Sequence, residues 1–128
     1  MRLLLLEENY AVVKFKPNHG IPQWASDYDG GLLSITFTPE ELSIVCKEEK
    51  ALAENVEHIE KTWRCLKVEG PLDFNLTGIL NELTKPLAEQ QISIFAISTF
   101  DTDYLLVKSY NIDNAIQALE QQGHICTR

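Results

Sequence analysis

Basic residues are scarce in this chain of 128 residues, which has 11 lysines and arginines against 19 acidic residues and a formal net charge of -8. Nucleic acids are held through lysine and arginine, and a chain of this charge lacks the basic stripe that phosphate backbones require. The same balance disfavours an anionic membrane surface. We therefore expect neither a nucleic acid nor a membrane as partner.

Long hydrophobic runs are also missing. The opening segment contains four consecutive leucines but stops at Glu7 and Glu8, which is too short for a secretory signal peptide. Charged residues interrupt every later run, so none approaches the roughly 20 apolar residues of a membrane-spanning helix. These absences predict a soluble, cytoplasmic protein formed by one compact domain or by two small halves.

Cysteine is rare, and no metal-binding or redox motif includes it. Cys46, Cys65 and Cys126 are an odd number of widely spaced residues without a CxxC pair, which predicts reduced thiols.

Catalytic motifs are equally absent. His19, His58 and His124 stand apart from one another, and the chain has neither a P-loop nor a GxGxxG sequence. We expect no catalytic residue, no metal site and no cofactor. One alternative stays open: a small enzyme acting on amino acids, with a general base among these histidines or the cysteines.

Alternating apolar residues are what the chain has instead. They predict three strands in the first half, at residues 10–15, 32–37 and 42–46. Between the first two strands, Pro and Gly leave space for no more than one helical turn. Residues 47–61 are rich in Glu and Lys, which predicts an exposed connection with a frayed helix at residues 48–53.

The second half predicts an order of strand, helix, strand, strand, helix and short strand. The strands fall at residues 63–68, 92–99, 104–108 and 124–127. The first helix has an apolar face formed by Leu76, Ile79, Leu80, Leu83 and Leu87. Asp73 or Asn75 is its expected N-cap, and Pro86 should kink its last turn. A second helix, around residues 112–119, should end at Gly123. This α+β order is ferredoxin-like, with two helices on one face of an antiparallel sheet.

An internal repeat is suggested by the two hairpin patterns. Displacing the sequence by 63 residues lays residues 36–44 over residues 99–107, with matching Thr, Phe, acidic, Leu and β-branched positions. Shared hairpin patterning is the alternative explanation.

One constellation of residues has the chemistry of a ligand site. Residues 70–78 lead into the longer helix, whose first backbone N–H groups can hold a carboxylate. Residues 97–103 supply carbonyls, hydroxyls, an aromatic ring and carboxylates that suit an ammonium group. An amino acid carries both groups and would fit between the two segments. The alternative is that these residues only end a strand and form a turn.

Residues 63–74, 78–80, 87–89 and above all 92–107 resemble an ACT domain. The similarity is to small stand-alone bacterial proteins with tandem ACT-like units, related to the ACT modules of aspartate kinases and cytosolic arginine sensors. It implies a ferredoxin-like βαββαβ fold in two ACT-like halves with antiparallel sheets. The first half, residues 1–61, would be degenerate, and residues 62–128 would be a complete ACT domain.

The resemblance implies a non-catalytic regulatory module that binds an amino acid at the interface between ACT units. Carried over position by position, it assigns as ligand-binding residues Leu72, Asp73 and Phe74 in the loop, Ile97, Ser98, Thr99, Phe100 and Asp103 at the strand end, and Ser34 and Ile35 from the other half. It also implies a homo-oligomer, with a dimer favoured, and a separate regulated protein. The alternative is a structural or oligomerisation module with a vestigial ligand site.

Overall fold

The computed structural model describes residues 1–73 and 77–128. Along the chain the elements are β1 (Arg2–Leu5), β2 (Tyr10–Phe15), a 3₁₀ turn (Gln23–Ala25), β3 (Ser34–Phe37), β4 (Leu42–Lys47), α1 (Glu48–Leu52), β5 (His58–Val68), α2 (Ile79–Glu89), β6 (Ile94–Ser98), β7 (Asp103–Lys108), a second 3₁₀ turn (Ser109–Asn111), α3 (Ile112–Gln121) and β8 (Ile125–Thr127). This mixture confirms the predicted α+β class. No helix among the described residues is long and apolar enough to cross a membrane.

The chain divides into two compact units. The N-terminal unit is Glu8–Trp63, and the C-terminal unit joins Met1–Glu7 to Arg64–Arg128. The sequence predicts a boundary after residue 61, with the first residues in the N-terminal half. The structure instead groups them with the C-terminal unit, because β1 pairs with the end of β5 and with β8.

The C-terminal unit follows the βαββαβ order, with one strand added. β7 lies between β5 and β6, while β1 lies between β5 and β8. Leu3 is therefore in register with Val68 on one side and with Cys126 on the other. The consecutive leucines of β1 do not alternate with polar residues, so the period of two that marks a strand is missing from this segment.

Helices α2 and α3 cover one face of this sheet. Alternate residues of β1, β5 and β7 point to the same side, as the pleat requires. The core they form with the helices includes Leu3, Leu5, Leu66, Val68, Leu105 and Val107 from the strands and Leu83, Leu87, Ala115, Ile116 and Leu119 from the helices. The predicted helical faces are thus the buried ones, except that Leu80 is 37% exposed and Leu76 lies outside the described residues.

The N-terminal unit has the same order of elements in a reduced form. Its strands are β2, β3, β4 and the first part of β5, in the sheet order β3-β4-β2-β5. The 3₁₀ turn after Pro22 occupies the place of the first helix, as the Pro- and Gly-rich sequence predicts. Residues 58–61 belong to β5, so their assignment to an exposed connection was wrong. The predicted helix near residues 48–53 is confirmed as α1.

The two hairpins are equivalent at a displacement of 61 residues rather than 63. In the N-terminal unit Phe37 pairs with Leu42, and in the C-terminal unit Ser98 pairs with Asp103. Thr38 and Thr99 then hold the same position at the start of each turn. The displacement of 63 residues from the sequence differs by two, because similar side-chain types were aligned there without information on strand pairing.

Candidate ligand-binding site

A cavity of about 200 Å³ opens in the C-terminal unit between the loop after β5 and the β6–β7 hairpin. Its lining residues are Leu72, Asp73, Ile79, Ser98, Thr99, Phe100, Asp101, Thr102 and Asp103. Most of the predicted ligand-binding residues are therefore brought together here. The other lining residues are Ile79, Asp101 and Thr102. The resemblance assigned none of these three, although Asp101 and Thr102 belong to the segment 97–103 whose chemistry suited an ammonium group.

Three predicted residues do not line this cavity, and a fourth lies outside the described residues. Ile97 is on β6 next to Ser98 but does not line the cavity. Ser34 and Ile35 lie on β3 in the N-terminal unit, so their part in binding stays a prediction. Phe74 lies outside the described residues.

The hairpin side of the cavity is shaped by Thr99. Its backbone N–H donates to the carbonyl of Thr102 at 2.8 Å, and its hydroxyl donates to the same carbonyl at 3.1 Å. The hydroxyl also accepts from the N–H of Thr102 at 3.3 Å. A threonine that bonds its own turn in this way leaves the turn well defined.

The loop side is held against this turn by the backbone. The N–H of Leu72 donates to the carbonyl of Asp101 at 2.7 Å. The approach is close: a Cβ added at Gly70 would lie 3.0 Å from the Asp101 carbonyl oxygen. Glycine at residue 70 therefore allows the two segments to meet.

The cavity is acidic. Its lining contains Asp73, Asp101 and Asp103 but neither lysine nor arginine. The Ser98 hydroxyl donates to Oδ1 of Asp103 at 2.5 Å. Within residues 1–73 and 77–128, Oδ2 of Asp103 accepts no hydrogen bond and the exposed Asp101 carboxylate has no side-chain partner. Several carboxylates around a small cavity without a basic lining residue favour a cationic group.

Helix α2 begins beside the cavity. Its N-cap is Gly78, at a φ of 76°, and no side chain caps it among the described residues. Asp73 as N-cap was therefore wrong, and Asn75 lies outside the described residues. Because Ile79 lines the cavity, the first turn of α2 presents its N–H groups near this site. An anion is favoured there.

No metal site accompanies these carboxylates. The described part of the chain has no group of three or more His, Cys, Asp or Glu side chains that could hold a metal ion. The helix N-terminus and the aspartates together have the chemistry that suits a small molecule with both an anionic and a cationic group.

Comparisons with known proteins agree with the fold. A family model of the ACT domain matches residues 58–121, and a second model, which describes an N-terminal domain, matches residues 8–53. The cytosolic arginine sensor for mTORC1 subunit 1 of Bos taurus is 32% identical over 101 residues, covering 72% of this chain and 31% of the sensor. The chain thus spans about a third of the length of that relative.

Solved structures show the same similarity. The protein Atu0741 of Agobacterium tumefaciens has a TM-score of 0.86 and 35% identity, over 98% of this chain and 90% of that one. The regulatory subunit of aspartate kinase from Thermus thermophilus has a TM-score of 0.62 at 11% identity, over 94% of this chain and 95% of that one, which shows a shared fold. The sequence resemblance is confirmed, and the chain belongs to the ACT domain family.

Proposed function

We propose that this chain is a non-catalytic regulatory module whose C-terminal unit binds a free amino acid with a basic side chain, arginine before others. The observation that carries the proposal is the acidic cavity between the β5–α2 loop and the β6–β7 hairpin. The ligand carboxylate would lie at the first turn of α2 and its cationic groups at Asp101 and Asp103.

The size of the cavity supports a ligand as small as an amino acid. Its volume of about 200 Å³ lies below the roughly 300–1,000 Å³ of sites for larger ligands. The charge of the lining supports a basic side chain, and a relative named as an arginine sensor supports arginine. Ligand binding would shift a conformational or association equilibrium that a separate cytoplasmic protein detects.

A thermal-shift screen against the twenty amino acids, followed by calorimetric titration with arginine, tests the proposal. Arginine at a hundred times its Kd should stabilise the protein by about 2.7 kcal/mol. Citrulline, which has nearly the shape of arginine without its side-chain charge, should bind more weakly. Binding of citrulline as tight as that of arginine would contradict the assigned role of the aspartates.

Replacing Asp103 tests the site itself. Asp103→Asn removes the charge and keeps an oxygen that can accept from Ser98, so the fold should persist while arginine binding is lost. Asp113→Asn is the matched control, because Asp113 is an exposed residue of α3 outside the cavity. Arginine binding by Asp103→Asn equal to that of the control would refute the site.

A structural or oligomerisation module with a vestigial ligand site is the second candidate. The observation that favours it is β6, where Ile94 and Ile97 are only partly buried and Ala96 is exposed. Such strands are surfaces for association. We expect a homodimer in solution, and light scattering across a range of concentrations measures its mass. A dimer that no amino acid stabilises would favour this candidate over the sensor.

A further inference from the structure

Thr102 is a buried polar residue beside the cavity. Its side chain is 3% exposed, and its hydroxyl donates to the carbonyl of Val68 at 2.6 Å. Val68 is the last residue of β5, immediately before the loop that lines the cavity. The hydrogen bond therefore joins the β6–β7 turn to the start of the β5–α2 loop, which forms the opposite wall of the cavity.

The N-terminal unit provides an internal control for the role of this hydroxyl. Its hairpin turn has the same bonds: Thr38 donates its N–H to the Glu41 carbonyl at 2.9 Å, and the Thr38 hydroxyl accepts from the N–H of Glu41 at 3.1 Å. Glu41 occupies the position equivalent to Thr102 and has no hydroxyl. The turn thus forms without a hydroxyl at this position, so the Thr102 hydroxyl is not needed to form the hairpin.

The close packing of Gly70 against the β6–β7 turn is a second contact between the two walls of the cavity. A Cβ at Gly70 would lie 3.1 Å from Cβ of Thr102, in addition to its contact with the Asp101 carbonyl. Together with the Leu72–Asp101 bond, Gly70 and Thr102 set how far apart the two walls of the cavity stand. A ligand that bridges the walls requires that separation.

We infer that Thr102 is a positioning residue of the ligand site, whose buried bond to Val68 fixes the separation of the Leu72–Asp73 and Ser98–Asp103 walls and thereby sets ligand affinity. The inference rests on the proposed function for its ligand, with L-arginine as the probe. Thr102 lies in the turn that lines the cavity. It acts on the ligand indirectly, by holding together the two segments that contact the ligand.

The test compares Thr102→Val, which has nearly the same shape without the hydroxyl, with Thr102→Ser, which keeps it. Thr102→Val should weaken arginine binding about tenfold, the effect expected from a lost hydrogen bond. It should also speed hydrogen exchange at the Leu72 amide, whose partner is Asp101. Thr102→Ser should stay close to the wild type in both measurements.

Gly70→Ala provides a second route if Thr102→Val does not fold. It keeps every hydrogen-bonding group but forces the Asp101 and Thr102 side of the cavity outward, and it should also weaken arginine binding. An affinity unchanged in Gly70→Ala would count against the inference.

Other outcomes separate this inference from the proposed function. Equal weakening in Thr102→Ser and Thr102→Val would overturn the inference, because the hydroxyl would then not be the cause. Wild-type affinity in Thr102→Val would overturn it as well, even with faster exchange. If the wild type itself binds no arginine, the proposed function fails, and exchange at Leu72 in the two variants alone supports or overturns the positioning role.

Discussion

Burial is the main cause of the pKa shifts of His124 and the three cysteines. His124 is 9% exposed, and its Nδ1 lies 2.9 Å from the amino group of Met1. Burial lowers the pKa of His124 below its usual 6.5, and the positive amino group acts in the same direction, while Glu82 opposes both. The folded protein therefore disfavours the protonated imidazole.

This pKa predicts a loss of stability on acidification. The unfolded chain takes up a proton at His124 near pH 6.5, whereas the folded chain does so at lower pH, so the free energy of unfolding falls as pH drops through this interval. His124→Gln should flatten the pH dependence of the free energy of unfolding below about pH 7, measured by urea denaturation at a series of pH values. An unchanged pH dependence in His124→Gln would contradict the assignment to His124.

The cysteines give a second prediction at this scale. Burial raises the pKa of Cys46 to about 11 and that of Cys65 to about 12, and it also raises the pKa of the half-buried Cys126. Thiolates are the reactive species, so Cys46 and Cys65 should resist a thiol reagent until the protein unfolds. The measurement is Ellman's assay with and without urea. Rapid labelling of folded Cys126→Ser protein would contradict this expectation.

At the scale of elements, apolar spacing accounts for helix α2. Leu83 and Leu87 follow the helical period and are fully buried, whereas Leu80 on the same helix is 37% exposed. The position where α2 begins did not follow from the same pattern. Gly78 is the N-cap, with a left-handed backbone, whereas Asp73 has the chemistry of a cap but precedes that position in the sequence.

Two leucines of α2 form a matched pair for a stability test. Leu83→Ala should lower the free energy of unfolding by about 2–5 kcal/mol, because it leaves a cavity in the core. Leu80→Ala should lower it by less than about 1 kcal/mol, because the side chain is partly in solvent. Urea denaturation of both variants measures the difference. Similar losses would mean that Leu80 is buried in solution, for instance by association.

At the scale of the whole molecule, the two units share an order of elements but differ in the residues beside the hairpin turn. Phe37 and Leu42 stand where the C-terminal unit has Ser98 and Asp103. Leu42 is fully buried and Phe37 is 57% exposed, and neither side chain can bond a polar ligand group. The two hairpins therefore have equivalent turns but differ in the chemistry of the residue pair that flanks each turn.

This difference predicts one amino acid bound per chain. Calorimetric titration with arginine should give a stoichiometry near one, and Asp103→Asn should abolish the entire signal. Phe37→Ser is a control in the other hairpin and should retain wild-type affinity. Two binding events per chain, or binding that persists in Asp103→Asn, would show that the N-terminal unit has a site of its own.

The alternating strands and the helical spacing of the second half predicted a ferredoxin-like α+β fold. These features are local, because the period of a strand or helix is written in neighbouring residues. The chemistry of residues 70–78 and 97–103 was enough to name the two segments as a candidate site, since a strand end and a helix start are readable from neighbouring residues. The choice of individual residues within them came from the resemblance. The resemblance of residues 63–107 to an ACT domain implied the family and six of the nine residues that line the cavity.

Only the tertiary structure decided the place of β1, the register that relates the two hairpins and the buried hydrogen bond of Thr102. Leu3 lies between Val68 and Cys126, and the Thr102 hydroxyl bonds a carbonyl 34 residues away. Such pairings depend on which distant segments meet when the core closes. Local patterns do not specify that meeting, because a buried hydroxyl on a turn and an exposed one have the same sequence signal.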